Sequence, residues 1–335
     1  MFSLELERLK DEVRASGAGK VLIQLPFGLR PYAIEIAKAV KGAGGLPIVQ
    51  ADPCYGACDV ATWAASTLGA ELIAHYGHSK MLELPSGPAV IYLEARMDID
   101  VREALEKALS LLEPYSTIGL ATTVQHIHAI GFASSVLKEA GHDVRIGRAG
   151  GLVAYDGQIL GCDFTTLRAI RDQVDAILVI GSKFHAIGAS IATGKPTVMA
   201  NPYECIAEDV SREAARVLAR RYASIQEARG ARSFGVIVGL KPGQMKLQQA
   251  IRALELLREA EKEAILLAAN EVRPEYLADF TCLDALVNTA CPRLSLEDDG
   301  SFGRPLLTFL ELKVALGLME WEELCRAGWF AAPGS

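Results

Sequence analysis

The chain lacks any long apolar run. Nothing in its 335 residues approaches the roughly 20 consecutive apolar residues that a membrane-spanning helix needs, so no membrane association is expected. A basic surplus is missing as well. The net charge is −7 and no basic stripe stands out, which argues against direct nucleic-acid binding. A protein partner would more naturally meet this surface through a basic patch of its own. Met1-Phe2-Ser3-Leu4-Glu5 reads as the start of an amphipathic helix and not as a signal peptide, so the expected location is the cytoplasm. The dense cysteine framework of a small secreted domain is also absent. The seven cysteines are odd in number and scattered, and in a reducing compartment they are thiols, metal ligands or catalytic groups.

What is present fits a globular protein: half the residues are hydrophobic and 22% are charged. The length suggests two or three domains. One pattern of elements occurs three times. The first round has strand 20–25, a loop through Pro31, a helix to about Ala39, strand 46–50, a loop around Cys58, a helix over about 60–68, and strands 71–74 and 89–93. The second has strand 117–121, a helix ending at Ala140, strand 143–147, a glycine-rich approach to Cys162, a helix over about 165–173, and strands 176–180 and 197–200. A long charged helix over about 204–229 then leads to strand 233–239, helix 245–262, strand 264–268, strand 285–288 and strand 306–309. In helix 245–262, Leu247, Ile251, Leu254 and Arg258 share helical spacing.

Alternating strands and helices predict an α/β fold of three similar domains, each a short, mainly parallel sheet flanked by helices. The expected divisions are 1–105 with Cys58, 106–203 with Cys162, and 204–335 with Cys291. Parallel sheets bind ligands beyond the carboxyl ends of their strands. All three cysteines fall at that end, so one shared central site is possible. Three thiolates could hold a [4Fe–4S] cluster and leave its fourth iron open. Zinc competes, although Cys54 and Cys58 form the only closely spaced pair. The third reading is unrelated core thiols. A short loop with three cysteines, the usual radical S-adenosylmethionine signature, is absent. Cys205, Cys282 and Cys325 are expected as plain core.

Local motifs narrow these choices. Tyr55-Gly56-Ala57-Cys58, His75-Tyr76-Gly77-His78-Ser79 and Gly181-Ser182-Lys183-Phe184-His185 resemble the diphthamide synthase family. Gly239-Leu240-Lys241-Pro242-Gly243-Gln244 and Thr289-Ala290-Cys291-Pro292-Arg293 resemble it too, and the motifs run in order from about residue 17 to 320. The likeness is nearest to archaeal homodimeric members. It implies three α/β domains that each give one cysteine, Cys58, Cys162 and Cys291, to a [4Fe–4S] cluster. It further implies cleavage of the Cγ–S bond of S-adenosylmethionine and transfer of a 3-amino-3-carboxypropyl group to a histidine of translation elongation factor 2, releasing methylthioadenosine. An electron donor and a homodimer belong to that expectation. Cys54 matches no cysteine of the family pattern. Quinolinate synthase, also triplicated around a cluster, is the alternative enzyme, and a non-catalytic partner subunit is the alternative from another class.

Several residues could aim the co-substrate. Gly239, Lys241 and Gln244 lie before a helix whose first amides could hold its carboxylate, or they simply form a turn. Arg293 could grip that carboxylate or pair with Glu297 or Asp298. Thr123, Gln125 and His126 could meet adenosine or cap their loop. His75, His78 and His185 could touch substrate or serve as hydrogen-bonded structural residues. Tyr55 could stack on adenine or pack the cysteine loop. Segment 208–221 reads as a solvated helix face. Residues 297–300 could be an exposed turn or a receptor for a basic partner surface. Residues 331–335 are expected to fray.

Overall fold

The structure is a computed structural model that describes residues 1–84, 87–297 and 300–329. Asp298, Asp299 and the 331–335 tail, for which an exposed turn and fraying were expected, lie outside the described residues. Three sheets form. The first holds β1 (Lys20–Gln24), β2 (Leu46–Val49), β3 (Leu72–Tyr76) and β4 (Ala89–Leu93) in the order β2-β1-β3-β4. The second holds β5 (Thr117–Thr122), β6 (Asp143–Arg145), β7 (Ala176–Ile180), β8 (Thr197–Asn201) and β9 (Ile206–Asp209) in the order β6-β5-β7-β8-β9. The third holds β10 (Ser233–Gly239), β11 (Glu263–Ala269), β12 (Ala285–Asn288) and β13 (Leu306–Thr308) in the order β11-β10-β12-β13. Every pairing is parallel except β8 with β9. The same winding therefore recurs three times, as the α/β pattern predicts.

The central strands explain themselves. Leu72–Tyr76 and Ala176–Ile180 are buried at every residue, as parallel strands covered by helices on both faces must be. In each sheet the chain leaves its first strand toward one edge and later returns to the other side. That reversal opens a crevice beyond the carboxyl ends. It puts the loops that follow β1, β5 and β10, and those that follow β3, β7 and β12, where a ligand can sit.

The core is divided unequally. One apolar cluster runs from the second sheet into the third, joining Ile177 and Val179 to Val236, Val238 and Val287. The first sheet packs on separate clusters, one around Leu9, Ile23 and Ile36 and another around Leu22, Val60 and Ile73. The helix Arg102–Leu112 buries Ala104, Leu105 and Ala108 with the second sheet's residues Leu120 and Leu178. Domain limits at 105 and 203 remain a proposal. This helix spans the first of them, and β9 extends the second sheet past the other.

Four expectations need correction. Segment 208–221 is not one solvated helix face, because Glu208 and Asp209 lie in β9 and Arg221 is buried against Glu311 at 2.7 Å. The helix expected from residue 204 begins at Ser211. Before it, Cys205 adopts a left-handed φ of 52° and turns the chain so that β9 pairs antiparallel with β8, Met199 facing Glu208. Alanine and glutamate there favour helix locally, and sheet pairing overrides them. The helix expected over 245–262 runs from Leu247 to Glu259, and it buries Ala250, Ala253, Leu256 and Leu257. Leu247 and Arg258 are exposed, so the buried stripe lies beside the one read from sequence. Finally, Cys282 is exposed and Cys205 is half-buried in a turn, so neither is plain core; Cys325 does pack against the core shared by the second and third sheets.

Candidate functional site

Cys58, Cys162 and Cys291 line one cavity of about 560 Å³, together with Met81, Leu82, Leu152, Gln244 and Phe309. A cavity of this size suits a small-molecule site. Each thiol arrives on its own loop: Cys58 after β2, Cys162 before the short helix Thr165–Arg168, and Cys291 between β12 and the helix Pro292–Glu297. All three are half-buried. Burial pushes the Cys58 thiol up to about 11 and the Cys162 thiol up to about 12. Cys291 moves in the same direction, again by burial, against the pull of backbone N–H groups and of Arg293. The sulfurs also raise one another across the cavity that they line together. Without a cation these are neutral thiols, and a bound metal centre would be what makes them thiolates.

The loop that carries Cys58 is held by the third sheet. Gly243 donates its backbone N–H to the Cys58 carbonyl at 2.9 Å, and Gln244 Nε2 donates to Cys58 Sγ at 3.3 Å. A Cβ added at Gly243 would stand 2.6 Å from Cys58 Cα, so only glycine allows this approach. Lys241 Nζ bonds Asp59 Oδ2 at 2.8 Å and Glu271 Oε1 at 2.7 Å, and lies 4.4 Å from the Tyr55 ring centre. With 5% of its side chain exposed, Lys241 is a buried cation between two carboxylates. It anchors the loop and does not line the cavity.

The other two loops interlock. Arg293 stacks over Phe184 at 4.2 Å and pairs with Glu297 at 2.8 Å, the structural alternative weighed for it. A Cβ at Gly161 would meet Phe184 and Arg293, so the Cys162 turn presses directly on the Cys291 segment. Asp163 accepts backbone N–H groups from Leu152 at 2.6 Å and Thr165 at 2.8 Å, fixing that turn. Asn288 ties the last loop by donating to the Cys291 carbonyl at 2.7 Å and accepting from the Ala290 N–H at 2.9 Å.

The remaining candidates separate. Gly239 sits where a Cβ would strike Ala290, so it serves close packing of β10 on the Cys291 loop. Tyr55 is exposed and covers Lys241. Thr123, Gln125 and His126 join His78, His185 and Tyr203 around a second cavity of about 270 Å³. Gln125 there donates to the Gly77 carbonyl at 2.7 Å, a structural tie between two loops. His75 is buried inside β3 and does not line either cavity. Sequence reading missed Lys246, Gln248 and Gln249, which reach the thiol cavity from the start of the helix Leu247–Glu259. Their signal was available: a helix start directly after the glycine turn. That start has no side-chain cap, leaving backbone donors free for an anion.

Known proteins share the fold. A 2-(3-amino-3-carboxypropyl)histidine synthase from Pyrococcus horikoshii is 36% identical over 311 residues, covering 92% of this chain and 89% of that protein. The chicken protein (Gallus gallus) named 2-(3-amino-3-carboxypropyl)histidine synthase subunit 1 is 31% identical, covering 96% of this chain and 78% of its own. Crystal structures of Dph2 from Pyrococcus horikoshii, one of them with a 4Fe–4S cluster, superpose with a TM-score of 0.88 at 34% identity, covering 96% of this chain and 93% of theirs. The family model for diphthamide synthesis proteins matches residues 25–325, and the chain belongs to that family.

Proposed function

We propose that the chain is a 2-(3-amino-3-carboxypropyl)histidine synthase whose Cys58, Cys162 and Cys291 hold a [4Fe–4S] cluster. The observation that carries the reading is the meeting of three sulfurs from three separate loops in one cavity. Thiolates are the donors such a cluster prefers, and among the described residues the cavity adds no competing carboxylate or imidazole. The relative's name and the cluster in the superposable structure support the same assignment.

The proposed co-substrate is S-adenosylmethionine, and the proposed acceptor is a histidine of translation elongation factor 2. When bound, the cluster supplies the electron that splits the Cγ–S bond. The chain's own residues supply position. The uncapped amides at the start of the helix Leu247–Glu259 are placed to take the amino-acid carboxylate, with Lys246 adding positive charge. Met81, Leu82, Leu152 and Phe309 give the cavity apolar walls that exclude water. Which bond breaks depends on which carbon is held toward the metal, so orientation decides the product. A homodimer, an external electron donor and a cytoplasmic setting complete the proposal. Among the described residues no helix is long and apolar enough to cross a membrane. The family match speaks against the quinolinate synthase alternative.

The test is anaerobic. Chain reconstituted with iron and sulfide is mixed with a chemical reductant, S-adenosylmethionine and archaeal elongation factor 2. Methylthioadenosine release with a matching mass gain on the factor is expected. A cluster-loaded chain that yields neither would leave only the partner-subunit reading.

A further inference from the structure

Cys54, His75 and His78 make up a group that the proposed chemistry does not use. Their ligand atoms all lie within 4.8 Å of one another, the only such group among the described residues. Cys54 sits on the loop between β2 and Cys58, while His75 ends the first sheet's pairing of β1 with β3 and His78 follows β3. Cys54 is 3% exposed and His75 is fully buried.

The imidazole of His75 is prepared as a donor. Gln24 Oε1 accepts the Ala61 backbone N–H at 3.2 Å, and Gln24 Nε2 donates to the Asp59 carbonyl, which fixes the amide's orientation. His75 Nδ1, 2.8 Å from that same oxygen, must therefore carry the proton. Its Nε2 is left with a lone pair directed at His78 Nδ1, 3.0 Å away. Fixing a histidine tautomer through its other nitrogen is how metal sites aim their ligands. Two nitrogens sharing a tetrahedral zinc ion, with bonds of ~2.0–2.1 Å, stand about 3.3 Å apart, so the spacing already suits a shared ion, and each ring has to tilt to turn its lone pair off the nitrogen–nitrogen line toward it.

We propose that Cys54, His75 and His78 form a second metal site, for a single zinc ion, separate from the three-thiol cavity. One thiolate with two imidazoles is a borderline donor set, which suits zinc better than a hard cation. Binding is not a redox step. Cys54 gives up its thiol proton to solvent, and the proton on His78 Nδ1 moves to its Nε2, freeing both donor atoms; one proton leaves per ion bound. The ion would staple the loop bearing Cys58 to β3, the strand beneath it.

The probe is the metal alone. The full chain carrying Cys58→Ala, Cys162→Ala and Cys291→Ala is titrated with Co²⁺ and then Zn²⁺. One Co²⁺ per chain with a sulfur-to-cobalt charge-transfer band is expected, displaced by Zn²⁺. Adding Cys54→Ser should remove the band, and His75→Gln should weaken binding at least tenfold. Gln24→Leu, which frees the His75 tautomer, should weaken it by roughly 10–100-fold. No band in the triple variant, or a band that survives Cys54→Ser, overturns the proposal. Should the triple variant not fold, zinc X-ray absorption on the cluster-loaded wild-type chain decides the matter. One sulfur with two imidazole nitrogens supports the site, whereas an all-sulfur shell or no bound zinc overturns it.

Discussion

The two cavities at the carboxyl ends of the strands differ in both chemistry and construction. The thiol cavity draws on loops from all three sheets and is walled by apolar side chains. The histidine cavity draws on the first two sheets only, and several of its polar side chains are already engaged: Ser182 holds His185 Nδ1 at 2.8 Å, and Gln125 holds the Gly77 carbonyl. His126 is buried, and its Nδ1 has no hydrogen-bond partner. The difference teaches that convergence of polar residues on a crevice does not by itself mark the chemical centre. In the proposed reading what marks it is thiol donors brought together from remote parts of the chain.

The sharpest way to break the contrast is to remove a sulfur. Cys58→Ala, Cys162→Ala or Cys291→Ala is expected to abolish the brown absorbance of the reconstituted chain or its methylthioadenosine output. Cys205→Ala and Cys325→Ala keep both; equal loss in the two groups would undo the assignment. Next comes the buried cation. Lys241→Met leaves Asp59 and Glu271 without their partner, a loss of about 3–5 kcal/mol in denaturant unfolding. Gly243→Ala forces the Cys58 loop away and should cost about 1–3 kcal/mol while lowering cluster content.

The histidine cavity predicts a smaller effect, seen in acid. Burial pushes His78, His126 and His185 down from 6.5 to about 4, so between those values the unfolded chain binds protons that the folded chain does not. Stability is whole above about pH 6.5 and falls as the pH drops through that window. His126→Gln should flatten part of this slope in unfolding titrations. An unchanged slope would mean that the ring is hydrated in solution.

The repeated fold was legible because strands such as Ala176–Ile180 are unbroken apolar runs, and helices end at glycines such as Gly44 and Gly141 that accept positive φ. That Cys58, Cys162 and Cys291 could share one cavity was legible from their places at the carboxyl ends of the strands. Strand β9 was not, because its four residues, Ile206 to Asp209, are too few to show an alternation and include helix-favouring Ala207 and Glu208, and only the neighbouring strand makes them extended. The split of Thr123, Gln125 and His185 away from the thiols was hidden as well. Loops at equivalent positions of repeated units follow the same strand in the element pattern, while the angle at which the units meet decides which cavity each one faces.

The unequal division of the core has a mechanical consequence. Cys58 rides on the part of the molecule that packs by itself, while Cys162 and Cys291 ride on the part whose two sheets share one interior. Any inorganic group bound by all three sulfurs rivets these bodies across their seam. Its loss would register as slackening of the joint, in hydrogen exchange or protease nicking there, as readily as in a change of colour.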